Sequence, residues 1–138
     1  MVRIILDTNV ISGLRKPAQY PEVASWLRAQ RETDLFLSAI TLGEIERGVV
    51  LQEKKNPEFA RALRTWLNAT ELQFSDRILE FSARDARTWG ALSATLGHAG
   101  ADLMIAATAL NNDARVATRN TTDFIPTGVS VVNPFDQL

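Results

Sequence analysis

Short apolar runs rich in β-branched residues alternate along the chain with longer segments in which apolar residues return every three or four positions. The run Val2–Leu6 is apolar except for Arg3, which is typical of a strand buried on both faces of a sheet. The pattern predicts five strands, over Val2–Leu6, Leu35–Ala39, Ile78–Leu79, Arg115–Thr118 and Val129–Val132. It predicts six helices, over Asn9–Leu14, Glu22–Ala29, Thr41–Gln52, Pro57–Asn68, Ser82–Leu96 and Asp102–Asn112.

This alternation of strands and helices indicates the fold class. Helices placed between strands favour crossover connections, which join parallel strands. We therefore expect an α/β fold with a single domain over residues 1–138, in which helices flank both faces of a central, mainly parallel sheet. Ligands of such sheets bind beyond the carboxyl ends of the strands, so the residues that follow the strands are the first candidates for a site.

Composition excludes several kinds of protein. The chain has no cysteine and a single histidine, His98, which excludes zinc–thiolate sites and thiol nucleophiles. A net charge of −1 and a pI near 5.8 are not those of a dedicated DNA-binding protein. No stretch approaches the roughly 20 apolar residues that cross a bilayer, and the first seven residues lack the features of a signal peptide. We therefore expect no membrane segment and a cytoplasmic location.

Acidic and amide side chains follow three of the predicted strands or begin a helix. Asp7 comes directly after the first strand, and Glu44 lies in the first turn of the helix that follows the second strand. Asp102 opens a helix after a glycine-containing loop, while Asn120 and Asp123 follow the fourth strand. Because parallel strands end at one edge of the sheet, we expect these side chains to converge there.

Each acid also has a purely structural interpretation. Asp7 is a candidate helix cap, the segment Thr41–Glu44 fits the capping-box pattern, and the helix dipole favours Asp102 in a first turn. Taken together, however, the acids form a set of oxygen ligands without histidine or cysteine, which suits Mg²⁺ or Mn²⁺. Such an ion promotes cleavage of phosphodiesters by water.

Four segments carry a resemblance to a known family. They read IILDTNVIS (residues 4–12), LSAITLGEIERG (37–48), ADLMIAATA (101–109) and VATRNTTDF (116–124), and a closing VNPF (132–135) fits as well. With these segments the chain resembles PIN-domain nucleases, and among them the FitB-like VapC toxins of VapBC toxin–antitoxin modules. The resemblance implies a PIN domain over residues 1–138 that cleaves single-stranded RNA with Mg²⁺ or Mn²⁺. It also implies inhibition by a cognate VapB-type antitoxin and a homodimer.

The resemblance assigns the site residue by residue. Asp7, Glu44 and Asp102 match the first three acids of the family. Many relatives have a fourth aspartate where this chain has Asn120, and others place an acid three residues later, as Asp123 does here. We expect Asp123 to be the fourth acid and the fourth metal ligand, with Asn120 as a neutral ligand beside it.

Other residues are candidates for supporting roles. The hydroxyls of Thr8 and Thr118 are expected beside the acids, and Gly48 is expected to permit close packing one turn below the site. A helix face richer in apolar residues than one core requires predicts an interface with a second subunit or an antitoxin; its residues are Ile45, Val49, Val50 and Leu51. Three arginines are candidates for lining an RNA path, namely Arg15, Arg84 and Arg119.

Two other functions stay open on the sequence. One is a Mg²⁺-dependent phosphohydrolase or a phosphoacceptor domain, although the first strand ends in Asp-Thr-Asn and not in Asp-x-Asp. The other is a non-catalytic PIN-fold binding module, which Asn120 at a position that is often acidic leaves possible.

Overall fold

The computed structural model describes residues 2–136 and contains one five-stranded sheet. The strands are β1 (Ile4–Leu6), β2 (Leu35–Ser38), β3 (Ile78–Leu79), β4 (Arg115–Ala117) and β5 (Val131–Val132). Their order across the sheet is β3-β2-β1-β4-β5, and every neighbouring pair is parallel. The first strand of the chain is therefore the central strand of the sheet.

Seven α-helices occur within the described residues. They are α1 (Thr8–Gly13), α2 (Pro21–Arg28), α3 (Ala39–Lys55), α4 (Pro57–Gln73), α5 (Ala83–Leu96), α6 (Ala101–Asn111) and α7 (Thr121–Phe124). Three short 3-10 helices, Glu32–Asp34, Ile125–Thr127 and Pro134–Asp136, complete the described secondary structure.

The alternation of side chains along β1 divides the core into two parts. Ile4 and Leu6 belong to a cluster that includes apolar residues of α1, α2, α3 and α4. Ile5 points to the other face and belongs to a cluster built mainly with α6, β4 and α7. All three residues are buried, as expected of a strand covered on both sides. The predicted α/β fold, with a parallel sheet between two helical layers, is confirmed.

Helix α6 is buried around most of its circumference. Leu103 and every residue from Ile105 to Ala109 are buried, and most of these side chains are small. Alanines let a helix lie close to its neighbours, and α6 contacts both α5 and β4. This packing fixes the start of α6, where Asp102 lies in the first turn.

The start of α3 differs from the prediction. Strand β2 ends at Ser38, whose Oγ accepts a hydrogen bond from the backbone N–H of Ile40 (3.1 Å) and caps the helix. Ala39 and Ile40 are apolar and suit a strand or a helix, so periodicity placed the boundary too late. Glu44 consequently lies in the second turn of α3, and the expected capping box at Thr41–Glu44 is wrong, because Thr41 is already inside the helix.

Smaller differences concern element lengths and one glycine. Helix α4 extends to Gln73 and β5 begins at Val131, while α7 was not predicted. A Cβ placed on Gly48 would meet no atom within 4 Å, so the expected close packing at this glycine is wrong. None of the helices within residues 2–136 combines the length and the apolar character that crossing a membrane requires.

Candidate active site at the carboxyl edge of the sheet

Asp7 lies at the carboxyl end of the central strand and is 3% exposed. Its backbone N–H donates to the carbonyl of Ala117 in β4 (2.9 Å), which continues the sheet to this point. Its Oδ1 accepts the backbone N–H of Thr8 (2.8 Å), so Asp7 does cap α1. Its Oδ2 accepts the hydroxyl of Thr118 (2.7 Å) and the side-chain amide of Asn9 (3.4 Å). The carboxylate is thus fixed by groups from both neighbouring segments.

Glu44 is joined to the same region by Thr8. The Thr8 hydroxyl donates to Oε1 of Glu44 (2.7 Å), while the Thr8 backbone N–H donates to Asp7. One residue therefore binds two of the predicted acids. The two threonines expected beside the acids, Thr8 and Thr118, both donate hydroxyl hydrogen bonds to them.

Asp102 has the most perturbed carboxyl group of the site. Burial raises its pKa, and the negative charges of Asp7, Asp123 and Glu44 raise it further, to about 6. His98 in the preceding exposed loop acts weakly in the opposite direction. Since Asp102 responds to all three other acids, the four carboxyl groups share one electrostatic environment.

The two candidates for the fourth position differ in their surroundings. Asp123 lies in the first turn of α7, and its charge contributes to the raised pKa of Asp102. Asn120 precedes α7 and is exposed; its backbone N–H donates to the hydroxyl oxygen of Thr118 (2.9 Å). Asp123 therefore acts on the acid cluster through its charge, whereas the described contact of Asn120 runs through its backbone.

The acid site is strongly negative. Burial raises the pKa of Asp7 above its usual range, hydrogen bonds from Thr118 and Thr8 oppose this, and the charge of Glu44 adds to it. None of the ion pairs formed among residues 2–136 involves Asp7, Glu44, Asp102 or Asp123. A set of carboxylates that repel one another and have no cationic partner is suited to receive a cation.

The arrangement of the acids determines how a divalent metal ion could bind. Within the described part of the chain, no group of three or more histidine, aspartate or glutamate side chains is arranged closely enough to enclose a metal ion. Mg²⁺ usually binds one or two carboxylates directly and keeps several waters, so it does not need such an enclosure. The all-oxygen chemistry of Asp7, Glu44, Asp102 and Asp123 fits Mg²⁺ or Mn²⁺ with water completing the ligand set.

Asn9 also belongs to the site, although the sequence analysis did not place it there. Its side-chain oxygen accepts the backbone N–H of Arg119 (3.1 Å), and its amide nitrogen donates to Asp7. Asn9 thus links the loop after β1 to the loop after β4. The Asp-Thr-Asn sequence that directly follows a buried strand was the available signal for it.

A sizeable cavity lies apart from the acids. It has a volume of about 520 Å³ and is bounded by mainly apolar residues of α1, α2 and α4, among them Ile11, Leu27 and Trp66. None of the four acids lines it. The chemistry of the acid site and the main apolar recess are therefore separate features of the surface.

Comparisons with known proteins agree with this geometry. The pattern of the PIN domain matches residues 4–125. The toxin FitB of Neisseria gonorrhoeae is 38% identical over 140 residues, covering 96% of this chain and 98% of that protein. The VapC ribonuclease Y4jK of Sinorhizobium fredii is 34% identical, covering 96% and 98%.

Solved structures show the same architecture. The crystal structure of FitAcB from Neisseria gonorrhoeae superimposes with a TM-score of 0.85 at 37% identity, covering 96% of this chain and 99% of that one. A toxin–antitoxin complex from Klebsiella pneumoniae gives a TM-score of 0.67 at 27% identity, with coverage of 95% and 97%.

Proposed function

Because this chain belongs to the PIN-domain family, we propose that it is a metal-dependent endoribonuclease toxin that cleaves single-stranded RNA in the cytoplasm. The observation that carries this proposal is the convergence of four carboxylates that form no ion pair within residues 2–136. Burial, together with the charges of the other three acids, raises the pKa of Asp102 to about 6. Two relatives, the toxin FitB and the VapC ribonuclease Y4jK, support the same activity.

The chain's own residues have distinct tasks in this mechanism. Asp7, Glu44, Asp102 and Asp123 would hold the metal ion, with Asn120 as a neutral ligand. A bound Mg²⁺ or Mn²⁺ supplies Lewis-acid stabilisation of the phosphate and makes water a better nucleophile. Thr118 and Thr8 hold the carboxylates of Asp7 and Glu44 in place through hydrogen bonds of 2.7 Å each. A carboxylate not engaged by the ion accepts the proton of the attacking water.

The proposal includes an inhibitory partner. The solved neighbour from Klebsiella pneumoniae is a toxin–antitoxin complex, which supports an antitoxin of the VapB type for this chain. A cationic side chain of the antitoxin, most simply an arginine, would match the unpaired carboxylates. The apolar cavity beside α1, α2 and α4 offers a recess for apolar residues of the same partner.

A homodimer is also part of the proposal. Ile45 and Val49 of α3 are used in the core, whereas Val50 and Leu51 on the same helix are each 49% exposed. Apolar residues left exposed beside one another favour contact with another surface. We assign this pair to the contact with a second copy of the chain.

The decisive experiment replaces Glu44 by glutamine. Wild-type protein should cleave single-stranded RNA with Mn²⁺ and lose the activity in EDTA. Glu44→Gln should lose about 100-fold or more of the rate, because the site loses a charge that the cation needs. Glu46→Gln is the matched control: Glu46 lies on the same helix and pairs with Arg64 (2.8 Å) away from the acids, so activity should be retained.

The other functions predict different results. Cleavage that persists undiminished in EDTA, or full activity of Glu44→Gln, would contradict the metal-dependent nuclease. Hydrolysis of p-nitrophenyl phosphate without RNA cleavage would favour the phosphohydrolase. Absence of both activities with retained RNA binding would favour the non-catalytic module.

A further inference from the structure

Arg119 packs against two aromatic rings at the margin of the acid site. Its guanidinium carbon lies 3.9 Å from the ring centre of Phe135 and 5.3 Å from that of Tyr20. The two rings contact each other edge to face, with centres 5.4 Å apart and planes at 82°. Contact with aromatic faces restricts the side chain while Arg119 stays exposed to solvent.

The polar edge of this guanidinium is unused. Within residues 2–136, its N–H groups form no hydrogen bond or ion pair. Arg77 is a useful contrast, because its guanidinium is buried and donates to the carbonyls of Glu32, Leu35 and Gln73. Arg77 is a structural arginine, whereas the donors of Arg119 are available to a ligand.

The backbone at Arg119 is attached to the acids. Its N–H donates to Oδ1 of Asn9 (3.1 Å), and Asn9 donates to Asp7. The preceding residue, Thr118, donates its hydroxyl to Asp7 (2.7 Å). Arg119 therefore has a fixed position one residue away from a group that binds an acid.

The other two arginines predicted to line an RNA path lack this connection. Arg15 stacks over Phe59 and Trp66 of α4 at 5.1 and 5.6 Å. Arg84 lines a cleft with Asn111 and Asn112, at the end of α6 opposite Asp102. Only Arg119 of these three has a described hydrogen bond into the network around Asp7.

We infer that Arg119 binds a phosphate of the RNA strand next to the acid site, an inference that rests on the proposed function. Four carboxylates repel the phosphates of RNA, so a substrate needs a cation beside them. A guanidinium presents parallel N–H groups that match two phosphate oxygens, and the rings of Tyr20 and Phe135 leave its edge facing outward. Arg119 is thus a substrate-binding residue that positions the strand for cleavage.

The test measures RNA binding against salt concentration. A short fluorescein-labelled single-stranded RNA is titrated with the non-cleaving Asp102→Asn protein in Mg²⁺, and anisotropy gives Kd at several salt concentrations. Adding Arg119→Gln should weaken binding about tenfold. The slope of log K against log salt should become shallower by about 0.7, the value for one lost phosphate contact with a single strand.

Two further variants control for charge and folding. Arg115→Gln removes the same charge from the opposite end of β4, where the side chain is exposed, and should leave affinity and slope unchanged. Arg119→Met removes the charge but has a long, flexible apolar side chain that can pack against the rings of Tyr20 and Phe135. This variant should therefore fold even if Arg119→Gln does not. It should show the same reduction in slope.

Each outcome has one meaning. Unchanged affinity and slope in a folded Arg119 variant, with the parent protein binding RNA, would overturn the inference. Arg119 would then be a bridge between α2 and the 3-10 helix Pro134–Asp136, or a contact for acidic residues of an antitoxin. If the wild type neither cleaves nor binds RNA, the proposed function itself fails, which is a distinguishable result.

Discussion

Helices α5 and α6 pack against each other, and each has an aspartate in its first turn, Asp85 in α5 and Asp102 in α6. Asp85 is 2% exposed and accepts hydrogen bonds from Ser82 N–H (3.1 Å), the Thr108 hydroxyl (3.1 Å) and the Asn111 amide (2.8 Å). Burial acts to raise its pKa, but these bonds outweigh burial and lower it. Asp85 joins the two helices and serves packing.

Asp102 has the opposite surroundings, although it also lies in the first turn of its helix. No residue among 2–136 donates a hydrogen bond to its carboxylate, and the charges that raise its pKa, after burial, are those of Asp7, Asp123 and Glu44. The residue type and its place in the helix therefore do not distinguish a structural from a functional carboxylate. The distinction lies in whether donors or other acids surround it.

Asp102→Asn is expected to have the largest effect on activity. Loss of one metal-binding charge should reduce RNA cleavage in Mn²⁺ at pH 7 by about 100-fold or more. Metal-free Asp102→Asn should be at least as stable as the wild type at pH 7, because it removes a partly buried charge and its repulsion by the neighbouring acids. Cleavage assays and thermal melting measure both, with Asp113→Asn just beyond the other end of α6 as control. A wild-type rate would contradict the assignment.

Asp85→Ala is expected to have the largest effect on stability. The buried hydroxyl of Thr108 and the amide of Asn111 would lose their acceptor, at a cost of about 2–4 kcal/mol. Urea denaturation measures this change, and cleavage per folded molecule should be retained. A loss below about 0.5 kcal/mol would show that water replaces the carboxylate and that Asp85 is not a structural centre.

Asp102 and Asp85 should also change stability with pH in opposite directions. The pKa of Asp102 is raised to about 6 from 3.8, so the folded protein binds more protons than the unfolded chain between these values. Metal-free wild type should therefore gain about 1 kcal/mol of stability as the pH falls from 7 to 5, and Asp102→Asn should gain less. Asp7, whose pKa is raised too, contributes in the same direction.

At lower pH, the titration of Asp85 determines whether stability rises or falls as the pH changes. Its pKa is lowered in the folded protein, so its contribution is present above 3.8 and is lost as the pH falls through the folded value. Stability of the metal-free protein should therefore be highest between the pH range in which Asp102 titrates and the lower range in which Asp85 titrates. Saturating Mg²⁺ should remove the gain between pH 7 and 5, because the ion competes with protons. A flat profile without metal would contradict the repulsion at Asp102.

The smallest effect is expected just beyond the opposite end of α6. Asp113 follows the helix with φ of 52°, a left-handed conformation in which glycine is favoured, and Ala114 N–H donates to the Ala109 carbonyl (2.9 Å). Asp113→Gly should stabilise the protein by about 0.5 kcal/mol and leave cleavage unchanged. Destabilisation in urea would mean that the aspartate side chain makes a contribution of its own there.

The same comparison shows what the sequence could predict. The strands could be predicted from short apolar runs. The position of the acids at the carboxyl edge could be predicted because Asp-Thr-Asn or a helix follows these runs. Both signals are local in the sequence. The start of α3 was wrong by two residues, because Ala39 and Ile40 suit either element and only the hydrogen bond from Ile40 N–H to Ser38 decides.

The pattern of hydrophobic and polar positions could not predict long-range contacts. Asp85 was not singled out, since two of the groups that donate to its carboxylate, Thr108 and Asn111, lie in α6, more than 20 residues away. The aromatic contacts of Arg119 join Tyr20 to Phe135, two residues whose spacing carries no periodic signal. Periodicity locates elements, but the partners of a charge depend on how those elements pack.

The hydrogen bond from Thr118 to Asp7 joins residues 111 positions apart, and β4 must pair with the central strand before it can form. During synthesis, β1 is made long before β4, with which it pairs in the sheet. Parallel pairing over such a separation is slow compared with local helix formation. A partly synthesised chain that lacks β4 would therefore have an incomplete acid site, because Thr118 could not yet donate its hydrogen bond to Asp7.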